Sequence, residues 1–268
     1  MAKDILEEIV AYKRIEVEMQ KSNVHPSELY KKVEQMIQKD TYQHYSMKEA
    51  LTHSASGIIA EFKRKSPSKG WIKEDGKPEI IPESYFNNGA SAISILTDEK
   101  YFGGNLDFIR IARQKVACPI LRKDFIIDEY QIFQAYEIGA DAVLLIAADL
   151  SKELCKMLSI TAHELGLETL LEIHSETELD YINDNIDMVG VNNRNLGTFT
   201  TDVENSYRLA SQLPSNHVLV SESGISNPNT VRELREAGYR GFLIGESFMK
   251  SDKPGLALFQ FIKEVTKL

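Results

Sequence analysis

The sequence predicts an α/β chain folded as a (β/α)8 TIM barrel with an N-terminal helical extension, on three observations. Eight short apolar runs recur from Ile58 onward. Four of them follow a helical stretch that stops at a glycine, the usual left-handed end of a helix. Polar and charged residues collect at the far ends of six of them, where a barrel of this kind carries its site.

Residues 4 to about 50 read as helix. Ile5, Leu6, Ile9, Val10, Ile15 and Met19 recur at helical spacing between charges, and Pro26-Ser27-Glu28 opens a second helix with Leu29, Val33, Met36 and Ile37 on one stripe. This extension, residues 1–50 of a single barrel domain over 1–268, carries no chemical constellation and is expected to pack on the main body. The first strand, Ile58-Ile59-Ala60-Glu61-Phe62, sends Glu61 and Lys63 to one face, roughly 6–7 Å apart, and Phe62 to the other. The other seven follow at 92–96, 119–121, 142–146, 169–173, 188–191, 218–220 and 241–245, the second, fourth, fifth and eighth just after Gly89, Gly139, Gly166 and Gly238. Short strands without clean alternation, separated by helices, indicate a parallel sheet covered by helices. Eight βα units in roughly 210 residues is the barrel count. The rival, a doubly wound open sheet, usually has fewer strands, and no G-x-G-x-x-G follows the first strand.

At 268 residues and 43% hydrophobic content, the chain can bury a large core. It has no run of 18 apolar residues, so no membrane span is expected. Its first eight residues lack the apolar core of a signal peptide, and Cys118 and Cys155 fit no disulfide or metal spacing, which points to the cytoplasm. A net charge of −9 argues against general nucleic-acid binding. The six histidines show no paired spacing, so no metal site is expected; His174, at a strand end, is within reach of the site, with a loop hydrogen bond its expected role.

The strand ends carry the chemistry. Glu61 and Lys63 end the first, Arg122-Lys123-Asp124 the third, Glu172 and His174 the fifth, Asn192-Asn193-Arg194-Asn195 the sixth, Ser221-Glu222-Ser223-Gly224 the seventh, and Gly245-Glu246-Ser247 the eighth. Ser223-Gly224 and Gly245-Glu246 follow the two strands where this fold commonly cradles a phosphate in backbone N–H groups, and Ser66 with Lys63 could complete the cradle. Lys63, Lys123, Glu61 and Glu172 project into one funnel as a set for acid–base chemistry, unless they form two structural pairs at the barrel mouth. A neighbouring cation is expected to ease a proton from a lysine there. Arg194 offers a planar fork for a carboxylate, with Asn192 beside it.

The run Ile59-Ala60-Glu61-Phe62-Lys63-Arg64-Lys65-Ser66-Pro67-Ser68-Lys69-Gly70 resembles the signature of the indole-3-glycerol-phosphate synthases of tryptophan biosynthesis. The likeness continues through Leu121-Arg122-Lys123-Asp124-Phe125, Leu171-Glu172-Ile173-His174, Asn192-Asn193-Arg194-Asn195-Leu196, Ser221-Glu222-Ser223-Gly224-Ile225 and Ile244-Gly245-Glu246-Ser247. The resemblance implies closure of 1-(2-carboxyphenylamino)-1-deoxyribulose 5-phosphate to an indole, with loss of CO2 and water and no cofactor. It implies Lys123 as general acid and Glu172 as its acid–base partner, with Lys63, Glu61 and Asn192 completing the catalytic set. Arg194 with Asn192 would hold the anthranilate carboxylate, and Ser66, Ser223, Gly224, Gly245 and Glu246 the phosphate. Phe125 and Leu196 are apolar neighbours for the ring, whereas Phe62 is expected in the core. The Lys- and Glu-rich loop between Trp71 and Pro82 is a candidate lid. The expected partner is a small phosphorylated substrate, with neither nucleic acid nor membrane, acting on a monomer or weak homodimer. Two rivals are phosphoribosylanthranilate isomerase, which lacks the first-strand motif and the extension, and a catalytically silent phosphate-binding barrel.

Overall fold

The structure, a computed structural model, describes residues 5–39, 42–195 and 200–267. Eight parallel strands close a barrel: β1 (Ile58–Phe62), β2 (Ala92–Leu96), β3 (Ile120–Lys123), β4 (Ala142–Ile146), β5 (Glu168–Ile173), β6 (Met188–Asn192), β7 (Val218–Glu222) and β8 (Gly241–Ile244), with β8 pairing back to β1. A small antiparallel ribbon, Lys65–Ser66 against Gly70–Trp71, follows β1. All four glycines read as helix stops have positive φ. The expected runs fall on the strands, but β3, β6 and β7 extend one or two residues further. Lys123, Asn192 and Glu222 are therefore strand residues held by the ladder, not loop residues.

Three helices precede the barrel: α1 (Ile5–Asn23), α2 (Pro26–Gln38) and α3 (Met47–His53). Pro26 opens α2 as expected. The barrel helices are α4 (Ile81–Asn87), α5 (Glu99–Phe102), α6 (Asp107–Arg113), α7 (Glu129–Ile138), α8 (Lys152–Glu164), α9 (Glu204–Ala210), α10 (Pro228–Glu236), α11 (Glu246–Met249) and α12 (Pro254–Val265). After β5 a 3-10 turn (Glu176–Tyr181) stands in place of an α-helix and buries none of its residues. Its sequence, Glu-Thr-Glu-Leu-Asp-Tyr, has no apolar stripe at helical spacing to dock one.

Side chains along each strand alternate between bore and helix layer. The bore is apolar at its base, where Ile59, Leu121, Leu170 and Val220 from odd strands alternate with Ala92, Ala142 and Met188 from even ones. Helix α3 plugs that end, with Met47 and Leu51 fully buried against the same cluster. The plug is held by one carboxylate: Glu168 at the start of β5 accepts the Met47 and Lys48 N–H groups at 2.7 and 2.9 Å and the Ser46 hydroxyl at 2.5 Å. Ser46 also caps the helix, accepting the Glu49 N–H at 3.0 Å.

The extension does carry a charged constellation, contrary to expectation. Lys13 follows Ile9 and precedes Val17 at four-residue spacing, so it lies on the buried stripe of α1 and is 1% exposed. Its Nζ sits 2.9 Å from Asp98 Oδ2 and 2.9 Å from Asp124 Oδ1, just past the ends of β2 and β3. Asp124 also accepts from Thr97 Oγ1 at 2.6 Å and from the buried Arg122 at 3.1 Å. Burial would raise the Asp124 carboxyl, but Lys13 and Arg122 outweigh it and hold the pKa at about 2. Read alone, Lys13-Arg14 looks like a solvated pair; the ion cluster becomes visible only when α1 docks. Because deleting Lys13 leaves the buried Asp98 without its cation and Asp124 with Arg122 alone, Lys13→Met should lower the unfolding free energy by about 3–5 kcal/mol, read as a fall in the urea midpoint. An unchanged midpoint would show that the cluster does not hold α1.

Candidate active site

In a barrel of shear eight, each strand steps one residue along the axis relative to its neighbour. Following the observed registers round the ring with that step puts Glu61, Lys123, Glu172 and Glu222 at one level, each from an odd strand. Three carboxylates and an ammonium therefore replace the apolar side chains of the layers below. The even strands bracket this level with Ser94, Leu144, Gly190 and Leu243 beneath it and Leu96, Ile146, Asn192 and Gly245 above. Two of those are glycines for a steric reason. A Cβ on Gly190 would lie 2.2 Å from Glu222 Oε1, and one on Gly245 would lie 2.4 Å from Glu61 Oε1.

The bore opens above this level into a cavity of about 540 Å³. Lys123 spans it from β3, with Nζ 2.9 Å from Glu222 on the opposite strand and 3.7 Å from Glu172. Lys63 pairs with Glu61 at 2.5 Å. The expectation that Lys123 loses basicity is overturned. Burial does favour its neutral form, but Glu222, Glu172 and Glu61 outweigh burial and raise its pKa. Lys63, the cation expected beside it, is itself paired with Glu61. Glu61 is likewise held ionised against its burial, chiefly by Lys63 and Lys123.

Glu222 is the residue that sequence reasoning passed over. It stood among the polar strand ends, yet only the level it shares with Lys123 marks it as part of the reacting layer. It has no solvent exposure, and burial together with the charges of Glu172 and Glu61 pushes its carboxyl up, against Lys123. Glu172 goes the other way: burial is outweighed by His174 and Lys123, which hold it ionised. Of the two readings of His174 the structure has the one that touches the site: its Nε2 lies 3.3 Å from Glu172 Oε1.

The remaining expected residues ring the mouth. Ser66, Ser223, Gly224, Gly245 and Glu246 line the cavity on the β1, β7 and β8 side. The Ser66 hydroxyl is buried without a hydrogen-bond partner. Ser223 is the one non-glycine with positive φ among the described residues, at 69°, and Gly224 follows at 77°. Two successive left-handed residues turn the backbone sharply at the end of β7 and store strain there. Glu246 opens α11, whose first N–H groups have no intrahelical acceptor, while its carboxylate is drawn off by Lys250 at 2.5 Å. Asn192 Oδ1 accepts the Arg194 N–H at 2.9 Å. The Arg194 guanidinium donates to Ser68 Oγ at 2.9 Å and meets no carboxylate among the described residues. Phe125 lines the cavity beside Phe102, ring centroids 6.0 Å apart, whereas Phe62 is buried in the helix layer against Phe108, as expected. Leu196 lies outside the described residues. Of the loop after β1, the lining comes from 66–69 and not from 71–82. Sequence reasoning also missed the lid of α1: Ile5, Leu6 and Ile9 line the cavity.

The glycine at 190 gives a direct test of the charged layer. Gly190→Ala displaces the flexible end of Glu222, so the thermal midpoint should fall only modestly while kcat falls at least tenfold; a normal kcat would show that the position of Glu222 is immaterial.

The family model described as indole-3-glycerol phosphate synthase matches residues 6–261. The chain is 62% identical to the indole-3-glycerol phosphate synthase of Bacteroides thetaiotaomicron over 98% of its length and 99% of that protein's, and 42% identical to that of Magnetococcus marinus over 97% and 98%. Among solved structures it resembles tryptophan synthase subunit alpha from Legionella pneumophila (TM-score 0.61, 15% identity, 82% of this chain and 97% of that one). It also resembles 3-hexulose-6-phosphate synthase from Salmonella typhimurium (TM-score 0.61, 10% identity, 78% and 98%). At those identities the structural likenesses speak for the barrel alone. The family match over nearly the whole chain bears out the resemblance carried by the run from Ile59 to Gly70 and by the later strand ends: this chain belongs to the indole-3-glycerol phosphate synthase family.

Proposed function

We propose that the chain closes 1-(2-carboxyphenylamino)-1-deoxyribulose 5-phosphate to indole-3-glycerol phosphate, releasing CO2 and water, as a carbon–carbon carboxy-lyase of tryptophan biosynthesis. The observation that carries the reading is the position of Lys123, an ammonium shared by Glu222 and Glu172 at the floor of a cavity with phosphate-type turns on one rim. The substrate carries an aromatic ring, a carboxylate and a phosphate, and the cavity has a counterpart for each. Phe125 suits the ring, and the Arg194 fork, which meets no carboxylate among the described residues, suits the substrate carboxylate. The Ser66 hydroxyl and the backbone at Ser223, Gly224, Gly245 and Glu246 suit the phosphate.

In this reading Lys123 donates to the ketone oxygen while the ring carbon bearing the carboxylate attacks the carbonyl carbon. The strong hold on its proton fits that task. The ammonium stays charged until an oxyanion of higher basicity forms, and gives up its proton in the transition state. Loss of CO2 restores the aromatic ring. The new hydroxyl then leaves as water on protonation, while Glu172, ionised on the facing strand, takes the proton whose loss completes the indole double bond. Glu61 fixes Lys63, which contacts the substrate's anionic groups, and Asn192 orients Arg194. Rearomatisation drives decarboxylation without an electron sink, so no cofactor enters the scheme. The two distant cysteines favour the cytoplasm and the net charge favours a small-molecule partner over nucleic acid, for a chain read as a monomer or weak homodimer. No helix among the described residues is long and apolar enough to cross a membrane.

The test is the rise of indole fluorescence when the purified chain meets the carboxyphenylamino substrate in the presence of EDTA. Lys123→Ala should remove at least 99% of kcat with the circular dichroism spectrum unchanged. Arg194→Ala should act mainly on KM, raising it about tenfold or more, as expected for loss of a charge-assisted contact. Near-normal kcat in Lys123→Ala would overturn the acid assignment, and a silent wild-type protein that isomerises phosphoribosylanthranilate would overturn the reaction.

A further inference from the structure

The His174 imidazole lies between two carboxylates, with Nε2 3.3 Å from Glu172 Oε1 and Nδ1 3.7 Å from Glu178 Oε2. Its ring is 14% exposed, and neither nitrogen has another partner among the described residues. Its surroundings are built to hold it. Glu178, on the 3-10 turn after β5, accepts the His174 backbone N–H at 2.5 Å, so the turn that carries this carboxylate is fixed to the end of the strand that carries the ring. On α9, Asn205 donates to both the His174 and the Asn192 carbonyls at 3.1 Å, tying the ends of β5 and β6 together. Arg208 of α9 is engaged with Glu176 and Asn205. Beyond Glu172 the next charge is Lys123. The five groups form a line of alternating sign: Glu178, His174, Glu172, Lys123, Glu222.

We infer that His174, backed by Glu178, is a positioning residue for Glu172: it occupies Oε1, so that Oε2 is the oxygen presented toward Lys123 and the substrate. The inference rests on the assignment of Glu172 to proton transfer. Glu172 Oε2, not Oε1, is the atom that reaches Lys123, and Oε1 is the atom His174 holds. A carboxylate gripped on one oxygen cannot rotate to exchange the two, which is what a base poised on one face of a substrate requires. Burial alone would neutralise the imidazole, but the two carboxylates outweigh burial and push its pKa up to about 10. The ring therefore stays cationic across the neutral range.

The sign of the consequence follows. Taking away a cation raises the pKa of the carboxylate it faces, so the acid limb of the kcat–pH profile must move to higher pH. His174→Ala should lower kcat about tenfold or more at pH 7, leave KM within about threefold, and move the acid limb up by one unit or more. His174→Gln keeps a donor without the charge; it should recover part of kcat and leave the limb displaced, and it stands in should the alanine variant fold poorly. Glu178→Gln should displace the limb in the same direction by less. A residue acting through Glu172 adds nothing once Glu172 is gone, so Glu172→Gln/His174→Ala should be no slower than Glu172→Gln alone. An unshifted limb in both His174 variants, or a double variant slower than the single one, overturns the role of His174. A Glu172→Gln variant with wild-type kcat instead overturns the assignment of Glu172 on which this one rests, so the two failures are told apart.

Discussion

The structure depends on neutralising four charged side chains inside a barrel. Below the level of Glu61, Lys123, Glu172 and Glu222 the bore is filled as a hydrocarbon core, whose burial drives folding. At that level the same inward positions carry three carboxylates and one ammonium, which on their own would be strongly destabilising. The surroundings balance them. Lys63 leans in from beyond β1 to match Glu61, His174 matches Glu172, and burial holds the Glu222 proton more tightly. Even the even-numbered strands are shaped by this layer, since Gly190 and Gly245 are small where a carboxylate needs room.

Strand β3 connects this layer to the extension. Its last residues alternate sides: Lys123 points into the bore, while Arg122 points out to a cluster that Asp124, just past the strand, shares with Lys13 of α1. The same helix brings Ile5, Leu6 and Ile9 over the cavity. Docking α1 thus stiffens the strand that presents the ammonium and roofs the space above it. The extension is a wall of the site and not an appendage.

Most of this architecture was legible in the sequence, because glycine after a helix and short apolar runs are local signals that need no tertiary knowledge. Lys63, Lys123 and Glu172 were legible for a related reason: a charge at the end of an apolar run has few cheap places to be. What was hidden depends on register or docking. Glu222 reads like any polar strand end until the strand stagger aligns it with Lys123. His174 reads as a loop residue until the 3-10 turn folds Glu178 onto its far side. Lys13 reads as solvated because its partners lie some 85 and 110 residues away in sequence, beyond the reach of any periodicity argument. The missing helix after β5 was visible in principle, in the absence of an apolar stripe over 176–181, but the regular βα count masked it.

The α3 plug makes the barrel a vessel with one door. With Met47 and Leu51 closing the base and hydrocarbon filling the layers above them, the bore offers no passage beneath the charged level. Under the proposed reaction, the substrate and all three products share the one rim framed by α1, the ribbon after β1 and the turns of β7 and β8. Whatever closes over that rim during turnover governs entry and exit alike.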